Sequence, residues 1–385
     1  MILFYDSRCD MVTGAQRSML TLVDACVKRG EAVSIATVAE GPLLERARSL
    51  GLPAVNLHLH SGDGGRFRSP AGLLRLPFAI LRVLWHSLSM LRRMRPALVY
   101  LNSPAGSLFL GVWARMLGIP VIWYVRLDRR QRLFFWLAGL VATRILLVSA
   151  DVKKAFLSGE LRRWERKMEV LHTGFPAPER RSATQAELER ELANEQGVEL
   201  PDVHPRFLLL ATYDPRKGHA DALMAFATYV HAGGVGVLVF CGHASDDEAH
   251  VRELKASAEA LGVRDAVQFL SETRLPRALI RVCDTIILPS RSEGLPRVIV
   301  EALAEGREVI AYPVSGAREL IRDENCGVVL ARPEPELLAM AMRERVDAGM
   351  AARFADEREA AVAHLTVERY TDRFLAICDD LRTGR

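Results

Sequence analysis

The chain has 385 residues, half of them apolar and a quarter charged, which suits two or three domains with full cores. Its net charge of +4 hides a division: residues 1–175 hold 25 Lys+Arg against 12 Asp+Glu, and the remainder holds 26 against 35. A basic front half and an acidic back half predict domains with different partners, and no zinc-finger, RRM-like or basic-zipper pattern speaks for nucleic acid.

The first half alternates strands and helices. "MILFYD" predicts a strand. "TGAQRSMLTLVDACVKRG" predicts a helix, with Met19, Leu22, Val23 and Cys26 at helical spacing and Gly30 closing it. "AVSIATV", "ALVYLN", "PVIWYV" and "RILLVSA" are further apolar, β-branched runs separated by helical stretches. That pattern predicts a parallel, doubly wound sheet. "TQAELERELANEQG" then reads as a solvated helix leading into a second unit. There the alternation restarts with "RFLLLAT", "GVLVFCG", "AVQFLS" and "TIILPS". Ligands of such sheets bind beyond the carboxyl ends of the strands, and with two domains the cleft between them is the expected site.

The six cysteines are scattered without a CxxC pair, as buried thiols would be. "MILFYDSRCD" turns polar too early for a signal peptide. The longest apolar run, Leu133 to Ala142, is about half of the ~20 residues that span a bilayer. The expectation is a cytoplasmic chain, peripheral on the inner face of the cell membrane.

Three stretches of the back half carry chemistry. In "SEGLPRVIVEALAEG", Pro296 falls at the first helical turn, so the N–H groups of Gly294 and Leu295 are placed to meet an anion. Glu293 stands beside that anion site and is suited to accept hydrogen bonds from hydroxyls. Glu301 sits in a run that is apolar nearly all the way round a helix, so it reads as a buried carboxylate in need of a donor, such as a ribose. In "ATYDPRKGH", Arg216 and Lys217 are adjacent cations at a strand end, facing a helix N-terminus, which makes a diphosphate clamp. In "PVSGAREL", Gly316 would let backbone approach a phosphate closely. Gly14, in the first strand–helix loop of the front half, is a weaker signal. His172 and His219 lie at strand–helix junctions, where a structural role is the simpler reading.

The spacing of Glu293 and Glu301 resembles the E-x7-E motif of the retaining glycosyltransferases of family 4 (glycosyl transferases group 1). "EGLPRVIVEALAEGREVIAYPVSGARELI" is similar to that family's donor block almost residue for residue, "PRKG" to its phosphate clamp, and "LHTGF" stands at its interdomain segment. The resemblance implies a GT-B fold: α/β, two Rossmann-like doubly wound domains facing a deep cleft. Residues 1–175 would be the acceptor side, with the 366–385 helix packing back on it. Residues 176–205 would form the linker with its charged helix, and 206–365 the nucleotide-sugar domain.

The resemblance also implies roles. Glu293 would contact hydroxyls of the transferred sugar, Glu301 the ribose, and Arg216, Lys217, Gly294 and Leu295 the diphosphate. Gly14 would let the front domain close on the phosphates. Phe269–Ser271 would lie beside the base. Many members place a histidine near the reacting carbon; here Arg126 and then Asp128 follow that strand, which makes Arg126 the catalytic candidate. Ala211 and Thr212 replace the usual Gly-Arg pair, and Arg216 would supply the cation. No D-x-D occurs, and Asp246–Asp247 and Asp379–Asp380 read as solvated pairs. Transfer without a metal or other cofactor is the expectation, with the leaving diphosphate held by cations and helix dipoles.

"RFRSPAGLLRLPFAILRVLWHSLSMLRRMRP", Arg66 to Pro96, holds seven arginines among large apolar side chains and no acid, and "RLDRRQRLFFWLAGL" repeats the chemistry. A basic amphipathic helix predicts contact with an anionic membrane surface, which suits a glycan or lipid-linked acceptor. The expected activity is transfer of a sugar from a nucleotide-diphosphate sugar, with retention, in bacterial surface polysaccharide or glycolipid synthesis. The alternatives are a nucleotide-sugar epimerase of the same fold and a non-catalytic nucleotide-sugar binder.

Overall fold

A computed structural model describes residues 1–7, 14–57, 70–126, 132–177, 183–243, 248–350 and 353–383. Asp128, Arg66, Arg68, Asp246, Asp247 and Cys9 lie outside these residues. The chain divides into two units, residues 1–176 with 365–385, and residues 177–364.

The first unit is built on seven strands: β1 (Ile2–Asp6), β2 (Val33–Thr37), β3 (Ala54–Asn56), β4 (Leu98–Leu101), β5 (Val121–Val125), β6 (Arg144–Leu147) and β7 (Met168–Val170). Their order is β3-β2-β1-β4-β5-β6-β7, and every pairing is parallel. The central strands are apolar on both faces because helices cover both. Right-handed crossovers fix which helices go where: the chain steps from β1 to β3 in one direction and from β4 to β7 in the other. The helices Pro70–Met94, Ser107–Met116 and Arg132–Val141 therefore form one packed layer, its second member opening with a π-helical turn over Ser107–Gly111. Gly111 permits the contact, since a Cβ there would lie 2.8 Å from Val141 Cγ2.

The helix Gly14–Lys28 pairs with the last helix, Val367–Thr383. That last helix buries Tyr370, Phe374, Ile377 and Cys378, and its Phe374 ring lies 6.0 Å from Phe4 and 5.8 Å from Tyr100. Arg382 grips Glu31 with two bonds of 2.8 and 2.9 Å, and Arg29 pairs with Asp372. A parallel bridge between Phe175 and Thr366 brings the chain back to this unit.

The second unit has six strands: β8 (Arg206–Leu210), β9 (Val237–Cys241), β10 (Val267–Leu270), β11 (Thr285–Leu288), β12 (Glu308–Ala311) and β13 (Gly327–Val329). Their order is β10-β9-β8-β11-β12-β13, again all parallel. The amino ends of the strands are locked by buried charge. Arg206 is bonded to the Pro201 and Val282 carbonyls and paired with Glu189. Glu308 accepts from Thr285 at 2.8 Å and from Arg345 at 2.8 Å, while the guanidinium of buried Arg358 is bonded to the carbonyls of Asn325, Gly306 and Met350.

The charged helix expected as part of a linker is instead a layer of the second unit. It spans Gln185–Gln196, starts at a Thr184–Glu187 capping box and ends at left-handed Gly197. Leu188 and Leu192 are buried, and it packs on the helix Pro276–Val282. Glu195 bonds the Arg274 N–H at 2.6 Å, and Gln196 accepts from Ser271 at 3.0 Å. Sequence reading saw its charges but not the two-leucine stripe that docks it. The five described cysteines are all free and buried, and burial pushes the Cys26 and Cys241 thiols up to about 12.

Candidate functional site

The strand order reverses between β8 and β11, and in an open parallel sheet that reversal opens a crevice at the carboxyl ends. The loops leaving β8, β11 and β12 meet there. After β8 the chain forms a short turn, Pro215–Lys217, capped by Asp214, whose carboxylate accepts from the Arg216 N–H at 2.8 Å. The same carboxylate takes the Arg216 guanidinium at 3.1 and 2.6 Å. Burial alone would raise the Asp214 carboxyl, but the Arg216 hydrogen bonds outweigh it and hold it below the usual range.

Lys217 extends to the neighbouring loop. Its Nζ lies 2.6 Å from Glu293 Oε1, and both side chains are largely buried. Two more contacts join these loops: the Arg291 N–H donates to the Arg216 carbonyl at 2.8 Å, and Arg291 Nη2 reaches Asp221 Oδ2 at 2.5 Å. Gly218 makes the approach possible. It has φ +76°, and a Cβ there would sit 2.1 Å from the Pro289 carbonyl oxygen.

The third loop arrives through Gly316, also left-handed at φ +77°. A Cβ on it would lie 2.7 Å from the Gly294 carbonyl oxygen and 3.1 Å from Leu295 Cα. Gly294, Leu295 and Gly316 are therefore brought together by close backbone packing. Pro296 is the N-cap of the helix Arg297–Ala304 in extended conformation, one position before the first turn where the sequence pattern put it. Glu301 needs correction too. The helix is one-sided, burying Ile299, Val300, Ala302 and Leu303, and the Glu301 side chain keeps 22% of its exposure. Its donor is Arg297, one turn earlier, at 3.1 Å. The apolar run concealed an ordinary i,i+4 ion pair.

His219 opens the next helix, buried, its ring stacked 4.9 Å from Tyr213 and edge-on to Phe240 at 5.2 Å. Burial, with His250 and Lys217 adding to it, pushes this imidazole down to about 3 and keeps it neutral. Tyr213 in turn donates to the Leu270 carbonyl at 3.0 Å, tying the β8 exit to β10. Phe269 packs on Phe240 at 5.4 Å, with Arg264 and Lys255 over its ring.

The other two expected residues, Gly14 and Arg126, belong to the first unit. Gly14 begins its helix and is exposed. Arg126 follows β5 and is held on three sides: Nε donates to Asn102 at 2.6 Å, Nη2 to the Tyr100 hydroxyl at 3.0 Å and Nη1 to Thr173 at 3.3 Å. Its guanidinium also lies 4.2 Å above the Tyr124 ring. Asn102 continues to Asp6 at 2.5 Å, and Gln16 joins Asp6 at 2.8 Å. The carboxyl ends of β1, β4 and β5 are thus linked through one polar cluster at this sheet's own reversal. His172 follows β7, half-buried. The sequence reading missed Asp6, Gln16, Asn102, Asp214, Asp221 and Arg291. The signal available for the first and third was a polar residue ending an apolar strand.

Two parallel sheets of Rossmann type, each with polar and charged side chains at its carboxyl-end reversal, are the two-unit fold of the GT-B class. Residues 193–358 match the family described as Glycosyl transferases group 1, and residues 13–168 match the Glycosyl transferase 4-like domain. Each unit thus matches a glycosyl transferase domain. Among curated relatives, the lipopolysaccharide glucosyltransferase WaaG of Escherichia coli is 37% identical over 82 residues, 21% of this chain and 22% of that protein. A D-inositol 3-phosphate glycosyltransferase of Salinispora arenicola is 30% identical over 186 residues, 47% of this chain and 38% of that protein. The chain thus spans well under half the length of these relatives. Among solved structures, a glycosyltransferase from Rickettsia africae has a TM-score of 0.82 at 18% identity, covering 99% of this chain and 98% of that one. Anabaena HepE in complex with UDP has a TM-score of 0.76 at 17% identity, covering 98% and 99%.

Proposed function

We propose that the chain is a glycosyltransferase that moves a sugar from a nucleoside diphosphate to a hydroxyl of a glycan or lipid-linked acceptor, with retention of configuration. The observation that carries this is the convergence of Lys217 and Glu293, from separate loops, at the strand-order reversal of the second unit. In the reaction the bond between the anomeric carbon and the diphosphate oxygen breaks. A bond from that carbon to the acceptor oxygen forms on the same face, and the acceptor proton passes to the departing diphosphate. Lys217 and Arg216 stabilise the charge on that diphosphate, a role assigned here to cations rather than to a metal. Glu293 turns to hydroxyls of the transferred sugar and Glu301 to the ribose. Arg126, the catalytic candidate of the sequence, takes a positioning role in this reading, supported by its bonds to Asn102, Tyr100 and Thr173. The neighbouring HepE structures with UDP and UDP-glucose favour a nucleotide-sugar donor. The WaaG relative, a lipopolysaccharide glucosyltransferase, favours a surface glycan or glycolipid as acceptor.

The acceptor side of the same reading is a membrane surface, with the chain on its cytoplasmic face. The helices Pro70–Met94, Ser107–Met116 and Arg132–Val141 hold six arginines and no acid. Leu81, Trp85, Met116, Leu133, Trp136 and Leu140 on them are exposed. Cations interleaved with exposed tryptophan and leucine suit the headgroup boundary of an anionic bilayer, and their like charge disfavours pairing with a second copy. No helix among the described residues is long and apolar enough to cross a membrane. Calorimetric titration with UDP, GDP, ADP and their hexose derivatives tests the donor reading: saturable binding that depends on Lys217 is expected, and no binding of any of them would refute it.

A further inference from the structure

Four cations around the reversal in the second unit are matched by carboxylates. Arg216 is paired with Asp214, Arg291 with Asp221, Arg297 with Glu301 and Lys217 with Glu293. The first and third of these stay within one short stretch of chain. The Lys217–Glu293 pair differs in two ways. It joins two loops, and both its side chains are largely withdrawn from water, 26% and 14% exposed. Arg216, by contrast, is 54% exposed, and its partner Asp214 would keep the Arg216 N–H as a donor if the guanidinium turned to a phosphate.

A diphosphate that is to use Lys217 must therefore displace Glu293. The displaced carboxylate lies in a largely buried position, beside the anion that replaced it, where an unpaired charge is costly. Its cost depends on what the incoming ligand offers. A diphosphate carrying a sugar brings hydroxyl donors that can satisfy Glu293. A bare nucleoside diphosphate brings only more negative charge.

We infer that Glu293 is a specificity-determining residue that acts as an internal competitor for Lys217, so that the site holds a sugar-bearing diphosphate firmly and a bare nucleoside diphosphate weakly. The inference rests on the donor reading of this same site. It assigns a direction to the cycle. While the sugar is attached, Glu293 faces hydroxyls and Lys217 faces the diphosphate. Once the sugar has moved to the acceptor, Glu293 loses its donors and returns to Lys217, which loosens the product. Preference for the substrate and release of the product then follow from one ion pair.

The test is calorimetric titration of wild type and Glu293→Gln with UDP, GDP and ADP, and with the hexose derivative of whichever binds best. Glutamine keeps the shape and the hydrogen-bonding capacity but removes the charge. Affinity for the bare diphosphate should rise about tenfold, the factor expected when a cation is freed from a charge-assisted bond. Affinity for the sugar derivative should change by less than about threefold, because the amide still bonds hydroxyls. Release of a fluorescent nucleoside diphosphate should slow in parallel, since such changes fall mainly on the dissociation rate. Glu293→Ala serves if the glutamine variant does not fold, with the same gain for the bare diphosphate and a loss for the sugar derivative. If wild type binds and neither variant binds the bare diphosphate more tightly, the inference fails while the donor reading stands. If no diphosphate binds any of the proteins, both fail.

Discussion

Lys217 and Glu293 are 76 positions apart in the chain, yet Nζ and Oε1 lie 2.6 Å apart. The pair spans the two central strands of the second sheet, since the loops that carry it leave β8 and β11. Everything nearby serves that approach: left-handed Gly218 under the Pro289 carbonyl, the Arg291 N–H on the Arg216 carbonyl, and Arg291 on Asp221.

Gly218→Ala should therefore destabilise the chain more than a left-handed conformation alone explains. Gly51 is the control, because it has φ +70° and nothing within 4 Å of its Cβ position. Gly51→Ala should cost about 1 kcal/mol, and Gly218→Ala about 2–4 kcal/mol, through the added contact with Pro289. Urea denaturation of both variants measures the difference, and equal losses would mean that the two loops are not tightly apposed.

His219 should make the chain acid-sensitive. Its folded value is about 3 against an ordinary 6.5, and His250, Lys217 and Asp214 are the charged groups acting on it. Between those values the unfolded chain binds a proton that the folded chain does not, so stability falls as pH drops from 6.5 towards 3. The slope from this group is about 1.4 kcal/mol per pH unit, with no effect above 6.5. His219→Phe keeps an aromatic ring on Tyr213 without the titration, so its stability should fall less between pH 7.5 and pH 5. Identical pH dependence in the two proteins would assign the acid sensitivity elsewhere.

The three-helix layer of the first unit should bind vesicles in two separable ways. Arg92 and Arg93 are exposed, as is Arg95 just beyond them, and each cation near an anionic surface contributes about 1 kcal/mol that salt screens. Trp85 and Trp136 contribute an apolar part that salt does not remove. Replacing the three arginines by Gln should abolish most of the salt-sensitive binding. Trp85→Ser with Trp136→Ser should abolish what survives at high salt. Co-sedimentation with anionic and neutral vesicles reads both, and a protein that ignores anionic vesicles at low salt would rule out the membrane reading.

How far the sequence foretold this depends on the distance over which a residue finds its partner. Most strands of both sheets were readable because apolar, β-branched runs alternate with helical spacing, a local property, whereas β3, β7, β12 and β13 were not read. The loops holding Lys217, Glu293 and Gly316 were readable because each combines a strand end, a glycine and a charge within a few residues. What escaped were pairings set by folding. Glu301 looked buried because its run is apolar, but the chain rotates it to the half-open side, where Arg297 waits. The partners of Arg126 escaped too: Asn102, Tyr100 and Thr173 bond it from 24, 26 and 47 positions away. The helix Gln185–Gln196 looked solvated because only Leu188 and Leu192 dock it. Nothing in "DPRKG" itself says that Asp214 will hold Arg216.

The most direct test is calorimetric titration of the best-binding nucleoside diphosphate hexose, the ligand that turns Glu293 away and uses Lys217, into wild type and Lys217→Ala, with circular dichroism confirming the fold. A charge-assisted contact removed from a largely buried site is worth about 1.5–3 kcal/mol, so affinity should fall about ten- to a hundredfold. Unchanged affinity in a folded Lys217→Ala protein would contradict the placement of the donor diphosphate at the β8–β11 reversal.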